Sequence, residues 1–331
     1  MKRLAGGLVF TGILIVTGWL MTKPWFSESA EPQQKPRTGF AEDRAPVETK
    51  AVPFDAKRAM GYLDEICKIG PRQSGTDGMK KQQELMKKHF EALGGRVELQ
   101  RFPGRQPSQR QPVEMANLIV SWQPERTRRV ILCSHYDTRP IADQEPDRHK
   151  WRETFLSAND GGSGVALLME MANAMKTLPT EVGVDFVFFD GEEYIFDPEV
   201  DRYFLGSQHF GYQYSRNALK GKYAAAVLLD MVGGKNARFP REPNSVLYAG
   251  SLVQELWKIA DEQKCPAFVR RSGREVLDDH IALNRSGIPA VDIIDFDYPH
   301  WHRLTDVPAN CSGDSLEQVA RVLSVWLQRV K

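Results

Sequence analysis

Cysteine is scarce in this chain, and the few present form no metal or redox pattern. Cys67, Cys133, Cys265 and Cys311 are the whole set among 331 residues, and no CxxC pair occurs. That pattern gives no sign of a zinc knuckle or redox site; an exported chain could form a disulfide that spacing does not pair, and buried free thiols are the preferred reading. One-sided charge is lacking as well. With 44 Lys and Arg against 43 Asp and Glu the formal net charge is +1, and no basic block alternates with aromatics, so a nucleic-acid partner is not expected. Internal repeats and long low-complexity stretches are also absent beyond about residue 50. That argues against a solenoid and for a single domain.

Only one long hydrophobic run exists, at the N-terminus. Lys2 and Arg3 precede residues 4–21, which are apolar apart from Gly and Thr. Eighteen residues are short for a membrane span and long for a signal core, so residues 1–22 read either as a cleaved signal peptide or as an N-terminal membrane anchor. Ser27-Glu28-Ser29 offers a small-x-small cleavage site, and either reading exports the chain. No cysteine follows closely enough for a lipoprotein. Membrane contact, if any, is expected through this segment alone. Residues 23–50 are rich in Pro, Gln and charge and read as a flexible linker, leaving 51–331 as the folded domain.

In that remainder, helical and strand periods alternate. Helices are expected over 54–69, 77–93, 164–175, 245–263 and 314–330, and strands over 96–102, 115–122, 129–134, 184–189, 224–229 and 290–294. Four of the strands are continuous apolar runs followed by helices, the mark of a parallel sheet covered on both faces. The first two strands suit an antiparallel edge. The expected class is α/β, a three-layer α/β/α arrangement around a central mixed, mostly parallel sheet.

The residues that follow the apolar runs carry the chemistry. Val130 to Cys133 lead to His135 and Asp137, Phe186 to Phe189 lead to Asp190-Gly191-Glu192-Glu193, and Ala226 to Leu229 lead to Asp230. Val291 to Ile294 lead through an aromatic loop to His300-Trp301-His302, and Asp160 lies in the small-residue stretch SANDGGSG before a helix. Ligands of open α/β sheets sit beyond the carboxyl ends of the strands. If these ends share one edge, their oxygen and imidazole donors converge as zinc prefers. Of the adjacent acids Glu192 and Glu193, one can bind a cation while its neighbour carries a proton. His149, His209 and His280 fit helix surfaces or supporting positions.

The ordered motifs GPRQSGTDG, SHYDT, SANDGGSGVALLMEMA, FFDGEE, LLDM, DDH and WH resemble the zinc aminopeptidase-like M28 superfamily over about residues 54–331. Within it the chain looks most like the glutaminyl cyclase branch. The resemblance implies that Asp160, Glu193 and His302 hold one Zn2+ and that Glu192 is the general acid/base. Asp278 stands where aminopeptidases have Ser, and by the same resemblance joins the general base in a hydrogen-bond network, with Asp230 a further catalytic acid nearby; Trp301, where aminopeptidases commonly have Tyr, helps bind substrate. The implied reaction converts the N-terminal Gln of peptides or proteins to pyroglutamate with loss of ammonia. The rival is a di-zinc aminopeptidase, in which Asp160 bridges to a second zinc held by His135 and Asp230. The chain departs from the animal cyclases in two places. Residues 194–202 lack the second pocket Trp, leaving Tyr194 or Phe196 for that task, and residues 139–152 form a long charged segment placed to cover the site.

Overall fold

Alternation along the apolar strands sorts their side chains onto two faces, and the computed structural model shows both faces covered. It describes residues 49–216 and 222–331, so the N-terminal apolar segment and nearly all of the linker lie outside the described residues. The described part begins with α1 (Ala56–Lys68), α2 (Asp77–Ala92), β1 (Arg96–Gly104), β2 (Val113–Trp122) and β3 (Arg129–His135). It continues with α3 (Ser163–Met175), β4 (Gly183–Phe189), α4 (Leu205–Arg216), β5 (Tyr223–Asp230) and β6 (Phe239–Arg241). The last elements are α5 (Pro243–Glu262), β7 (Phe268–Ser272), α6 (Asp279–Arg285), β8 (Ala290–Ile294) and α7 (Gly313–Arg329).

The main sheet has the order β1-β2-β4-β3-β5-β8. The β4-β3, β3-β5 and β5-β8 pairs are parallel, and β1-β2 and β2-β4 are antiparallel. Val130, Leu132, Val227 and Leu229 face one core with α1, α2, α3, α5 and α7. Their immediate neighbours Ile131, Cys133, Ala226 and Leu228 face a second core with Phe210 and Tyr214 of α4 and Leu283 of α6. This period-two division is what a strand buried on both faces requires. The structure is the expected three-layer α/β/α fold. All four cysteines are buried and free.

Four elements were not expected from the sequence: α4, α6 and the small parallel pair β6-β7. Helix α4 (LGSQHFGYQYSR) contains two glycines and few strong helix formers; it stands because Phe210 and Tyr214 bury against the sheet. At the end of the sheet away from the strands' carboxyl termini, Arg129 pairs with the buried Asp185 (Nη2–Oδ1 2.5 Å, Nε–Oδ2 2.9 Å), and Tyr223 donates to the same carboxylate at 2.7 Å. Among the described residues no helix is long and apolar enough to cross a membrane.

Candidate active site

The parallel strands end on one edge, and there the acids and imidazoles meet. Strand β4 stops at Asp190, whose carboxylate accepts from Ser74 Oγ at 2.6 Å and Ala116 N at 2.8 Å. Gly191 follows with φ +74, and an added Cβ would lie 2.7 Å from Met115 Sδ; a left-handed residue without a side chain is what this turn needs. The next two backbone N–H groups, of Glu192 and Glu193, donate to the two oxygens of Asp137, each at 3.1 Å. Asp137, two residues past His135, thus aims both glutamates. In the sequence it stands within SHYDT, where its spacing does not mark that task.

Asp160 is fixed by the same device. Asp306 accepts from Asn159 N at 2.9 Å and Asp160 N at 3.1 Å, and is itself held by Tyr298 Oη at 2.9 Å. Gly161 follows at φ +73, where a Cβ would come within 2.7 Å of His135 Cε1 and 2.8 Å of the Asp137 carbonyl. His302 also takes a left-handed backbone, φ +53, a strained conformation for a side chain of this size.

Three overlapping donor groups result, one of which joins His135, Glu192 and Glu193. In the first, ligand atoms of Asp160, Glu193 and His302 lie within 4.8 Å of one another. His302 Nε2 is 2.6 Å from Glu193 Oε1 and 3.6 Å from Asp160 Oδ2. In the second, His135 Nε2 stands between Asp160 Oδ1 at 3.1 Å and Asp230 Oδ1 at 3.2 Å. Asp160 Oδ2 and Glu193 Oε2 are buried with no hydrogen-bond partner among the described residues. Buried, unpartnered carboxylate oxygens beside an imidazole fit a divalent cation of zinc's ligand preference. Asp160, Glu193 and His302 are the residues that could hold it.

The two adjacent glutamates differ in surroundings. Glu193's side chain is 5% exposed and faces His302; Glu192's retains 12% and lies 3.8 Å from His135 Nδ1. Burial and the charge of Glu193 push the Glu192 carboxyl well above the ordinary range, with His135 opposing. Asp278 caps α6 with one oxygen, accepting from Asp279 N at 2.6 Å, and leaves the other, the buried Oδ2, with no hydrogen-bond partner among the described residues. Burial, then the charges of Asp230 and Asp279, raise it well above its usual value, and burial raises Asp230 too. Burial alone would lower His302, but Glu193 and Asp143 outweigh it and push the imidazole up to about 9.

Trp301 is half-buried beside the donor group, its ring centroid 4.1 Å from that of His302 and 4.9 Å from that of Phe296. Tyr194 turns away into a small apolar cluster with Phe102 and Met115, against which Phe196 packs. His209 on α4 stacks on Phe102 of β1, and His149 is exposed. His280 is on no surface, contrary to one of its two sequence readings: it is fully buried, with Nε2 3.3 Å from Glu242. The 139–152 segment does pack against the site, through Arg139 and Asp143.

A three-layer α/β fold whose strand ends gather carboxylates and imidazoles into a divalent-cation ligand set defines an α/β enzyme of the zinc-exopeptidase type. Residues 117–327 match the model for peptidase family M28, and the chain belongs to that family. Within it, the chain sits with the glutaminyl cyclases. The crystal structure of Fimbriiglobus ruber glutaminyl cyclase is 51% identical with a TM-score of 0.85, covering 88% of this chain and 100% of that one. A Zn-dependent exopeptidase from Parabacteroides distasonis is 29% identical with a TM-score of 0.77, covering 85% and 100%. Bovine (Bos taurus) glutaminyl-peptide cyclotransferase is 26% identical over 244 residues, 64% of this chain and 65% of the bovine protein, so the match spans just under two thirds of that relative's length.

Proposed function

We propose that the chain is a zinc-dependent glutaminyl-peptide cyclotransferase, an acyltransferase that closes the N-terminal Gln of peptides or proteins to pyroglutamate and releases ammonia. The observation that carries this reading is the split between the paired glutamates. Glu193 is buried against His302 in the donor group, whereas Glu192 is buried beside His135 and has a raised proton affinity. Asp160, Glu193 and His302 would hold one zinc ion. When bound there, zinc supplies Lewis-acid polarisation of the substrate's γ-carboxamide carbonyl.

Glu192 accepts a proton from the α-amine as its nitrogen bonds to the γ-carbonyl carbon. It returns that proton to the carboxamide nitrogen, which leaves as ammonia when the carbon–nitrogen bond breaks. A carboxylate serves both steps only if it binds a proton readily, which burial and the neighbouring charges of Glu193 and Asp278 provide. Asp230 adds to the charge around Asp278. Because amine and carboxamide belong to one substrate residue, holding a cyclic conformer supplies much of the rate, and Trp301 lines the wall on which it rests. The N-terminal segment, read as signal or anchor, would deliver this chemistry outside the cytoplasm.

The His135, Asp160 and Asp230 group is the observation a two-zinc aminopeptidase would use. One assay separates the readings. The domain is incubated with a Gln-initiated peptide and the product is weighed: loss of a single ammonia supports cyclisation, and loss of a whole N-terminal residue refutes it. Glu192→Gln should lower turnover by about 10²–10⁴-fold with the zinc content unchanged. Unchanged turnover would remove Glu192 from the proton-carrying role.

A further inference from the structure

Residues 139–145 fold back over the loop that carries His302. Gln144 N donates to the His302 carbonyl at 3.2 Å, and Leu304 N donates to Glu145 Oε1 at 2.8 Å. Between these ties Asp143 Oδ1 lies 2.8 Å from His302 Nδ1. Asp143 is gripped in turn by Arg139, Nε to Oδ1 at 3.0 Å and Nη2 to Oδ2 at 2.8 Å. Arg139 has a side chain only 1% exposed. Its Nη2 also donates to Tyr203 Oη at 3.2 Å, its guanidinium sits 5.5 Å over the Tyr203 ring, and its Nη1 points to Glu193 Oε1 at 3.6 Å.

A fork-to-fork guanidinium–carboxylate pair that has left water is costly to bury and geometrically stiff. Here it stands behind a residue that needs stiffness. A left-handed histidine persists only where its surroundings over-determine it, and the strap holds this one at its carbonyl, its ring and the following loop. A histidine whose Nδ1–H is donated to a carboxylate has one tautomer and one ring orientation, with the Nε2 lone pair aimed forward.

We propose that Asp143 and Arg139 are positioning residues for the metal site. Asp143 sets its carboxylate 2.8 Å from His302 Nδ1 as the counter-charge that keeps Nε2 turned to the space shared with Asp160 and Glu193. Arg139 holds Asp143 in place and offsets negative charge on Glu193. The inference rests on the assignment of Asp160, Glu193 and His302 as the zinc ligands, and the experiment keeps the two apart.

The full domain carrying Asp143→Ala, Asp143→Asn, Arg139→Gln or His302→Ala is compared with the wild type. Three quantities are measured: zinc affinity by competition with a chromogenic chelator, urea stability of the metal-free protein, and kcat and KM at saturating zinc. Asp143→Ala should lose about 10–100-fold in zinc affinity and lower kcat while leaving KM unchanged, a split that a general structural defect does not produce. Asp143→Asn keeps a neutral acceptor and should recover part of the loss, and Arg139→Gln should lose less than Asp143→Ala. Wild-type zinc affinity in Asp143→Ala, with binding abolished in His302→Ala, overturns the inference. Should Asp143→Ala fail to fold, the isosteric Asp143→Asn protein decides, and wild-type affinity there overturns it equally. If His302→Ala binds zinc as the wild type does, the ligand assignment itself is refuted.

Discussion

Replacing Asp137 tests how the two glutamates are held. In the folded protein its carboxylate is fully buried and takes both the Glu192 and Glu193 N–H groups at 3.1 Å. Alanine would leave both donors in a water-poor turn without an acceptor, at about 1–3 kcal/mol each. Part of that loss is returned, because the cost of burying the carboxylate disappears with it. The net expectation is a destabilisation of about 2–4 kcal/mol, a large share of a domain stability of about 5–15 kcal/mol. Asparagine should not rescue it. Its amide nitrogen would face one of the two N–H groups, leaving that donor orphaned and opposed while the oxygen keeps the other. Urea unfolding of the metal-free protein should show a lower midpoint with an unchanged slope. The folded fraction should also turn over about 10²-fold more slowly, since the turn that aims Glu192 has lost its anchor. A loss below about 1 kcal/mol, or a stable protein with wild-type kcat, would refute the argument that this carboxylate sets the turn.

Other perturbations give distinct readouts. Gly191→Ala forces φ +74 on a residue with a Cβ, 2.7 Å from Met115 Sδ, and should cost about 1–3 kcal/mol in thermal or urea unfolding; no loss would mean the turn relaxes freely. In the metal-free protein His302 is pushed up to about 9, so zinc must displace a proton from it at neutral pH. Zinc affinity should therefore rise with pH up to about 9, and calorimetry in buffers of differing ionisation enthalpy should detect the released proton; pH-independent binding would contradict this. Trp301→Ala should raise KM for a Gln-initiated peptide about tenfold and leave zinc affinity unchanged, a separation that equilibrium metal binding and steady-state kinetics resolve.

Legibility of the fold followed the strength of the local pattern. Val130 to Cys133, Phe186 to Phe189 and Val227 to Leu229 are apolar at every position, and only a strand buried on both faces uses such a run. Helix α7 spaces Leu316, Val319, Leu323 and Trp326 by three and four, so it too was evident. Helix α4 was not legible because its two glycines and several polar residues give no helical preference, and its two core aromatics act only once the sheet exists. Strands β6 and β7 are three and five residues long and pair with each other rather than with the main sheet. Such short pieces have no periodicity to read.

In the site, the residues that point into the cleft were legible and those that aim them were not. Asp160, Glu192, Glu193, Asp230 and His302 each follow a strand or precede a helix, so topology alone places them at one edge. Asp137, Asp143 and Asp306 act on groups far away in sequence: Asp137 on residues 55 and 56 positions later, Asp306 on residues 147 and 146 positions earlier. A carboxylate bound to two consecutive backbone N–H groups leaves no trace in spacing. Its position within SHYDT, two residues beyond a strand-end histidine, was the one available signal for Asp137. The division of labour between Glu192 and Glu193 has the same origin, because nothing in the pair itself distinguishes them. Held by one carboxylate through adjacent N–H groups, they diverge into different surroundings, one toward His302 and the other toward His135. The proposed chemical asymmetry of the site is thus set by the groups behind the glutamates, and substitutions there should separate metal binding from proton transfer.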